Sequence, residues 1–169
     1  MKEKFFEYIG PSDSLHTYVR SYKLVLFKCF FELMDVAGCA FAYDVSKRVK
    51  EFYMKRVELG KIPDAQVESR IENITQSSVQ DVYSVILSNP FKHISENGFL
   101  LKRTTAEGKE QFYLPPQLVQ ELTSDDLQKV REILEDKIKL YYSVVTDSGE
   151  KGEEKVEALD AFVKKTLGL

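Results

Sequence analysis

Histidine and cysteine are scarce in this chain, with two of each among 169 residues. His16 and His93 fall in different predicted elements, and Cys29 and Cys39 form no Cys-x-x-Cys pair. A zinc site needs ligands in close pairs, so none is expected. Both cysteines sit in an apolar stretch and read as buried free thiols. His93 lies near a predicted helix end, where a structural imidazole is the simpler reading. No Gly-x-x-x-x-Gly-Lys-Ser/Thr loop and no Gly-x-Gly-x-x-Gly turn is present, which removes those two devices for nucleotide binding. Glu107-Gly108-Lys109 mimics the Glu-x-Lys of some nucleases, but it sits in a hairpin turn with no acidic partner on a preceding buried strand. The expectation is a non-enzymatic chain with no catalytic residue, no metal and no cofactor.

Two further absences concern location. The first residues lack the apolar run of a signal peptide. The stretch 22–43 is very apolar but is interrupted by Lys23, Lys28, Glu32 and Asp35, whereas a membrane span needs about 20 apolar residues in a row. Residues 22–43 therefore read as core, and the cytoplasm is the expected compartment. A one-sided charge is missing too. The net charge is −3, distributed as +3 over residues 1–62, −4 over 63–125 and −2 over 126–169. Any contact with nucleic acid must come from a local patch.

What is present is a globular composition, 43% hydrophobic and 30% charged, with eleven Phe and nine Tyr to fill a core in the absence of tryptophan. After Gly10-Pro11-Ser12-Asp13, where Ser12 or Asp13 could cap, residues 15–36 read as a central helix. Leu24, Phe27, Phe31 and Met34 recur at spacings of three and four, other apolar residues surround them, and Gly38 is the expected terminator. A second helix is expected from Tyr43-Asp44, with Asp44 as cap and Val45, Val49, Phe52, Tyr53 and Val57 buried. Its Lys47, Arg48, Lys50, Lys55 and Arg56 are left for solvent. The connector 64–75 has room for a short helix at 65–71. Residues 77–88 form a third amphipathic helix, opened by Ser77 and Ser78 and stopped by Asn89-Pro90.

Residues 99–103 and 110–114 are two short strands around a polar turn containing Gly108, and Pro115-Pro116 ends them. A helical turn at 117–122, a long helix from Ser124-Asp125-Asp126 to about residue 145, a linker at 146–152 and a helix at 153–169 complete the reading. The implied architecture is mainly α with a small β-hairpin, a winged helix-turn-helix-like core plus C-terminal helices. Residues 1–145 make the domain. The last helix, with Val156, Leu159, Phe162, Val163 and Leu167 on one side, is either docked or free to bind a protein partner.

On that architecture the third helix enters the major groove of double-stranded DNA and the hairpin wing reaches its backbone. The third helix offers Gln76, Ser77, Gln80, Ser84 and Ser88. The wing offers Lys102, Arg103, Thr104, Thr105 and Lys109, and the second helix adds Lys47, Arg48 and Lys50. Protein docking is the competing expectation, because the same order of elements serves protein-binding modules and the third helix has no Arg or Lys before Lys92. The long connector also departs from the usual short turn.

The stretch Ser21-Tyr22-Lys23-Leu24-Val25-Leu26-Phe27-Lys28 resembles stretches in bacterial restriction and phage-defence proteins. So does the order of Ser-Val-x-Asp-Val at 78–82, Asn-Pro-Phe at 89–91 and Gly-Phe-Leu at 98–100. The resemblance spans roughly residues 20–120. It implies an accessory domain beside a helicase or nuclease module and a role in DNA handling, and it identifies no catalytic residue. A separable piece of a multi-domain enzyme is a third reading.

Overall fold

The computed structural model describes residues 1–15, 21–64 and 74–147. Seven helices and three strands are described: α1 (Lys2–Ile9), α2 (Tyr22–Leu33), β1 (Cys39–Phe41), α3 (Ala42–Glu58), α4 (Val79–Ser88), α5 (Pro90–Glu96), β2 (Leu101–Thr104), β3 (Glu110–Tyr113), α6 (Pro116–Glu121) and α7 (Ser124–Asp147). The chain is mainly helical with one small antiparallel sheet in the order β1-β3-β2. No described helix is long and apolar enough to cross a membrane.

The centre is α2, where Leu24, Val25, Leu26, Phe27, Phe30 and Phe31 are all fully buried, as a helix apolar nearly all round requires. It packs against both α3 and α7. The helix is shorter than the expected 15–36, starting at Tyr22 and ending at Leu33. Beyond Met34, Asp35 accepts the backbone N–H groups of Ala37 and Cys39, each at 2.9 Å. That side-chain-closed turn releases the chain from the helix early. Gly38, at φ +81°, completes the turn and leads into β1.

Strand β1 corrects the two-stranded expectation. Cys39, Ala40 and Phe41 pair with Tyr113, Phe112 and Gln111, so β3 is the middle strand and the hairpin is anchored on both sides of it. The second helix starts at Ala42 with Phe41 as its cap residue. Asp44 is therefore no cap, and stands in the first turn, where its charge suits the exposed amides. Helix α4 ends at Ser88 with Asn89 as its C-cap, as expected, but a further helix begins at once. Pro90 occupies the first turn of α5, a position that its missing N–H suits. The aromatic opening is itself a helix, α1, whose Phe5 ring lies 6.0 Å from Phe27 and 5.5 Å from Phe99.

Two cations turn inward, Arg56 half-buried on α3 and Lys137 on α7. Arg56 stacks its guanidinium 3.3 Å from the Tyr142 ring and donates Nε–H to the Ile62 carbonyl at 2.8 Å. Lys137 is fully buried on α7 and donates to the Ser14 carbonyl at 2.5 Å. Both cysteines are buried and free, as their setting predicts. Helix α7 runs through Asp147, so the first two residues of the expected linker are helical. The rest of that linker, the helix at 153–169, the short helix at 65–71 and His16 lie outside the described residues.

Candidate nucleic-acid interface

Helix α4 is set by a capping box. Ser78 Oγ accepts the Asp81 N–H at 3.1 Å and the Asp81 carboxylate accepts the Ser78 N–H at 3.0 Å. This fixes the start of the helix at Val79. Gln76 and Ser77, expected on the helix, instead precede it. Val82, Val85 and Ile86 are buried, and Gln80 is exposed in the first turn. Ser84 and Ser88 return their hydroxyl protons to the carbonyls of Gln80 and Val85, at 3.0 and 3.1 Å. Their oxygens can still accept, but as donors they are committed to their own helix.

The hairpin separates its two adjacent cations. Lys102 and Thr104 share a face with Phe112 and Glu110, and Lys102 Nζ lies 3.3 Å from the Glu110 carboxylate. Arg103 belongs to the opposite face, as strand pleating requires. There it donates to Gln111 Oε1 at 3.0 Å and to Cys39 Sγ at 3.3 Å, and its guanidinium lies 4.6 Å from the Tyr113 ring. Burial raises the Cys39 thiol and Asp35 adds to the rise, while the Arg103 charge acts in the opposite direction. Lys102 and Arg103 thus cannot serve one phosphate together.

The three cations predicted on α3 are also divided. Tyr43, Lys47 and Lys50 follow at spacings of four and three and form one stripe; Tyr43 and Lys47 are exposed and Lys50 is half-buried. Arg48 turns to another face, where its guanidinium meets Glu32 at 2.9 Å and Glu51 at 3.7 Å.

Where the start of α3, the first two turns of α4 and the turn end of the hairpin meet, they enclose a half-open cavity of about 340 Å³. Phe41, Tyr43 and Asp44 line it from the first, Gln80 and Tyr83 from the second, and Lys109 and Glu110 from the third. Lys109 Nζ lies 5.3 Å from the centre of the Phe41 ring, and the Tyr83 hydroxyl donates to the Glu110 carboxylate. Phe41 and Tyr43 are 40% and 64% exposed, unusual for rings of this size. Among the described residues, no group of three or more His, Cys, Asp or Glu side chains is placed to hold a metal ion.

Comparison with known proteins returns no matching family model, no matching curated protein and no matching solved structure.

Of the residues singled out in the sequence, Gln80 and Lys109 meet at the cavity, and Lys47 lies one helical turn beyond it. Lys102, Thr104 and Lys109 are exposed on the hairpin, and Gln76 is exposed just before α4. Arg48 and Arg103 do not line the cavity. The aromatic lining, Phe41, Tyr43 and Tyr83, escaped sequence reading. A trace of it was available: Phe41 and Tyr43 alternate with small, buried Ala40 and Ala42, outside the helical spacing that Val45, Val49 and Tyr53 share.

Proposed function

We propose that this chain is a non-enzymatic DNA-binding module of the winged helix-turn-helix kind, working in the cytoplasm within a larger bacterial defence or regulatory assembly. The order α2-β1-α3-α4, then α5 and the β2-β3 hairpin, with the hairpin's second strand at the centre of the sheet, agrees with that architecture. One observation carries the reading: Gln80 at the start of α4 and Lys109 at the turn of the hairpin border the same cavity. The helix proposed for the groove and the wing proposed for the backbone thus present one surface, extended by Lys47 on α3. Lysines supply sequence-independent phosphate contacts, and the Gln80 amide is suited to a base edge.

The test is a salt titration of a fluorescent duplex against the protein and a Lys47→Gln/Lys109→Gln variant. Log affinity is expected to fall linearly with log salt. The variant's slope should be shallower by about 0.9 for each phosphate that a lysine no longer neutralises. Identical slopes in the two proteins would reject the surface.

A protein-docking role is the second reading. Asp44 and Glu110 line the same cavity and Asp81 is exposed nearby, so the surface carries carboxylates that a polyanion must tolerate. A basic partner peptide would meet them favourably.

A further inference from the structure

We propose that the aromatic cavity takes a single unpaired nucleobase, so that the module recognises an extrahelical base or a strand end in preference to uninterrupted duplex. This rests on the DNA-binding reading above and specifies the form of DNA.

Two large rings left open to solvent need a reason, because apolar surface in contact with water is unfavourable. Phe41 and Tyr43 are 40% and 64% exposed, and both open onto one cavity rather than lying scattered. Every base has a flat π-face, so such rings bind bases without regard to sequence. The remaining lining has the polarity of a nucleotide. Lys109 Nζ lies over the Phe41 ring, 5.3 Å from its centre, and a base that takes its place on that face brings its phosphate within reach of the displaced ammonium. Gln80 and the exposed Asp44 stand on the α4 and α3 sides, an amide with both donor and acceptor and a carboxylate able to accept from an exocyclic amine. Glu110 is already engaged by Tyr83 and Lys102, which moderates its repulsion of a phosphate. At about 340 Å³ the cavity lies at the small end of ligand pockets and has room for one base.

A base inside a duplex cannot reach such a cavity without leaving its stack, which is least costly for a base already unpaired. The prediction is therefore a preference between DNA forms. Two labelled duplexes of the same sequence are compared, one fully paired and one carrying a single extrahelical 2-aminopurine. The wild-type chain should bind the second roughly tenfold more tightly, the value of one base–ring stack, and quench its 2-aminopurine fluorescence. In Tyr43→Ala and in Phe41→Ala the ratio between the two affinities should fall toward one. Because Tyr43 is the more exposed of the two, its variant keeps the test valid if Phe41→Ala fails to fold. Equal binding of both duplexes by the wild-type chain overturns the base pocket and leaves the DNA-binding reading standing. No binding of either overturns both and leaves the cavity to a protein side chain.

Discussion

Tyr141 on α7 donates a hydrogen bond of 2.7 Å to the carboxylate of Asp64, 77 residues earlier in the chain. The other Asp64 oxygen accepts from Ser21, through its backbone N–H at 3.0 Å and its hydroxyl at 2.5 Å. Ser21 has one hydroxyl proton and gives it to Asp64, so the Tyr53 hydroxyl, 2.8 Å from Ser21 Oγ, is the donor in that pair. One buried carboxylate thereby ties the start of α2, the body of α3 and the far half of α7.

Removing that carboxylate strands three buried donors. Asp64→Ala should cost about 3 kcal/mol or more, since each unsatisfied buried group costs roughly 1–3 kcal/mol. Tyr141→Phe, which removes a single bond, should cost about 1–2 kcal/mol. Urea denaturation measures both, and an Asp64→Ala loss under about 0.5 kcal/mol, the range of an ordinary surface change, would show that the node holds nothing together.

Gly38 and Gly108 share φ +81° but not their surroundings. A Cβ at Gly38 would come within 2.5 Å of Val119 Cγ2, whereas nothing lies within 4 Å of one at Gly108. Alanine at either position should cost about 1–2 kcal/mol for the left-handed backbone. Gly38→Ala should cost about 1–3 kcal/mol beyond that from overpacking against α6. Equal midpoints for the two variants in urea would contradict the close approach.

The capping box of α4 joins stability to the proposed interface. Ser78→Ala should lower stability by about 1 kcal/mol. Asp81→Asn weakens the same cap but removes a negative charge from the surface proposed for DNA. Its duplex affinity should therefore rise by about twofold even as its melting temperature falls. A parallel fall in affinity would favour the protein-docking reading of that face.

Burial pushes the Lys137 ammonium down to about 8, an effect that Asp13 partly offsets, whereas an unburied lysine titrates near 10.5. Above about pH 8 the folded protein has released a proton that the unfolded chain still holds, so stability rises with pH. Cys29 opposes this at higher pH. Its thiol, pushed up to about 12 mainly by burial, stays protonated in the fold while unfolded thiols ionise near 9.0, so its contribution falls as pH increases. The informative window is therefore roughly pH 8 to 9. Stability should climb there in the wild-type chain and stay level in Lys137→Met, as read by urea midpoints. The same climb in both would rule Lys137 out as its source.

Much of the helical frame is legible in the sequence, because α2, α3, α4 and α7 each carry several turns of apolar residues at helical spacing. The short elements are not. Three residues, Cys39 to Phe41, are too few to show strand alternation, and β1 exists only because β3 offers an edge more than seventy residues later. Proline at residue 90 reads as a stop although the first turn of a helix accepts it. Arg56 and Lys137 look like surface cations, since the Tyr142 ring and the Ser14 carbonyl that receive them are remote in sequence. The candidate site divides in the same way. The exposure of Gln80, Lys102 and Lys109 follows from local pattern, but the cavity arises from the meeting of residues 41–44, 80–83 and 109–110, and no local pattern encodes that meeting.

Among the described residues the sheet has two edge strands, the three residues of β1 and the four of β2, and the second of these carries Lys102 and Arg103. A strand from another copy laid along β2 would have to desolvate two cations pointing to opposite faces, for at most four residues of pairing. Sheet extension into fibrils is therefore disfavoured by these two cations.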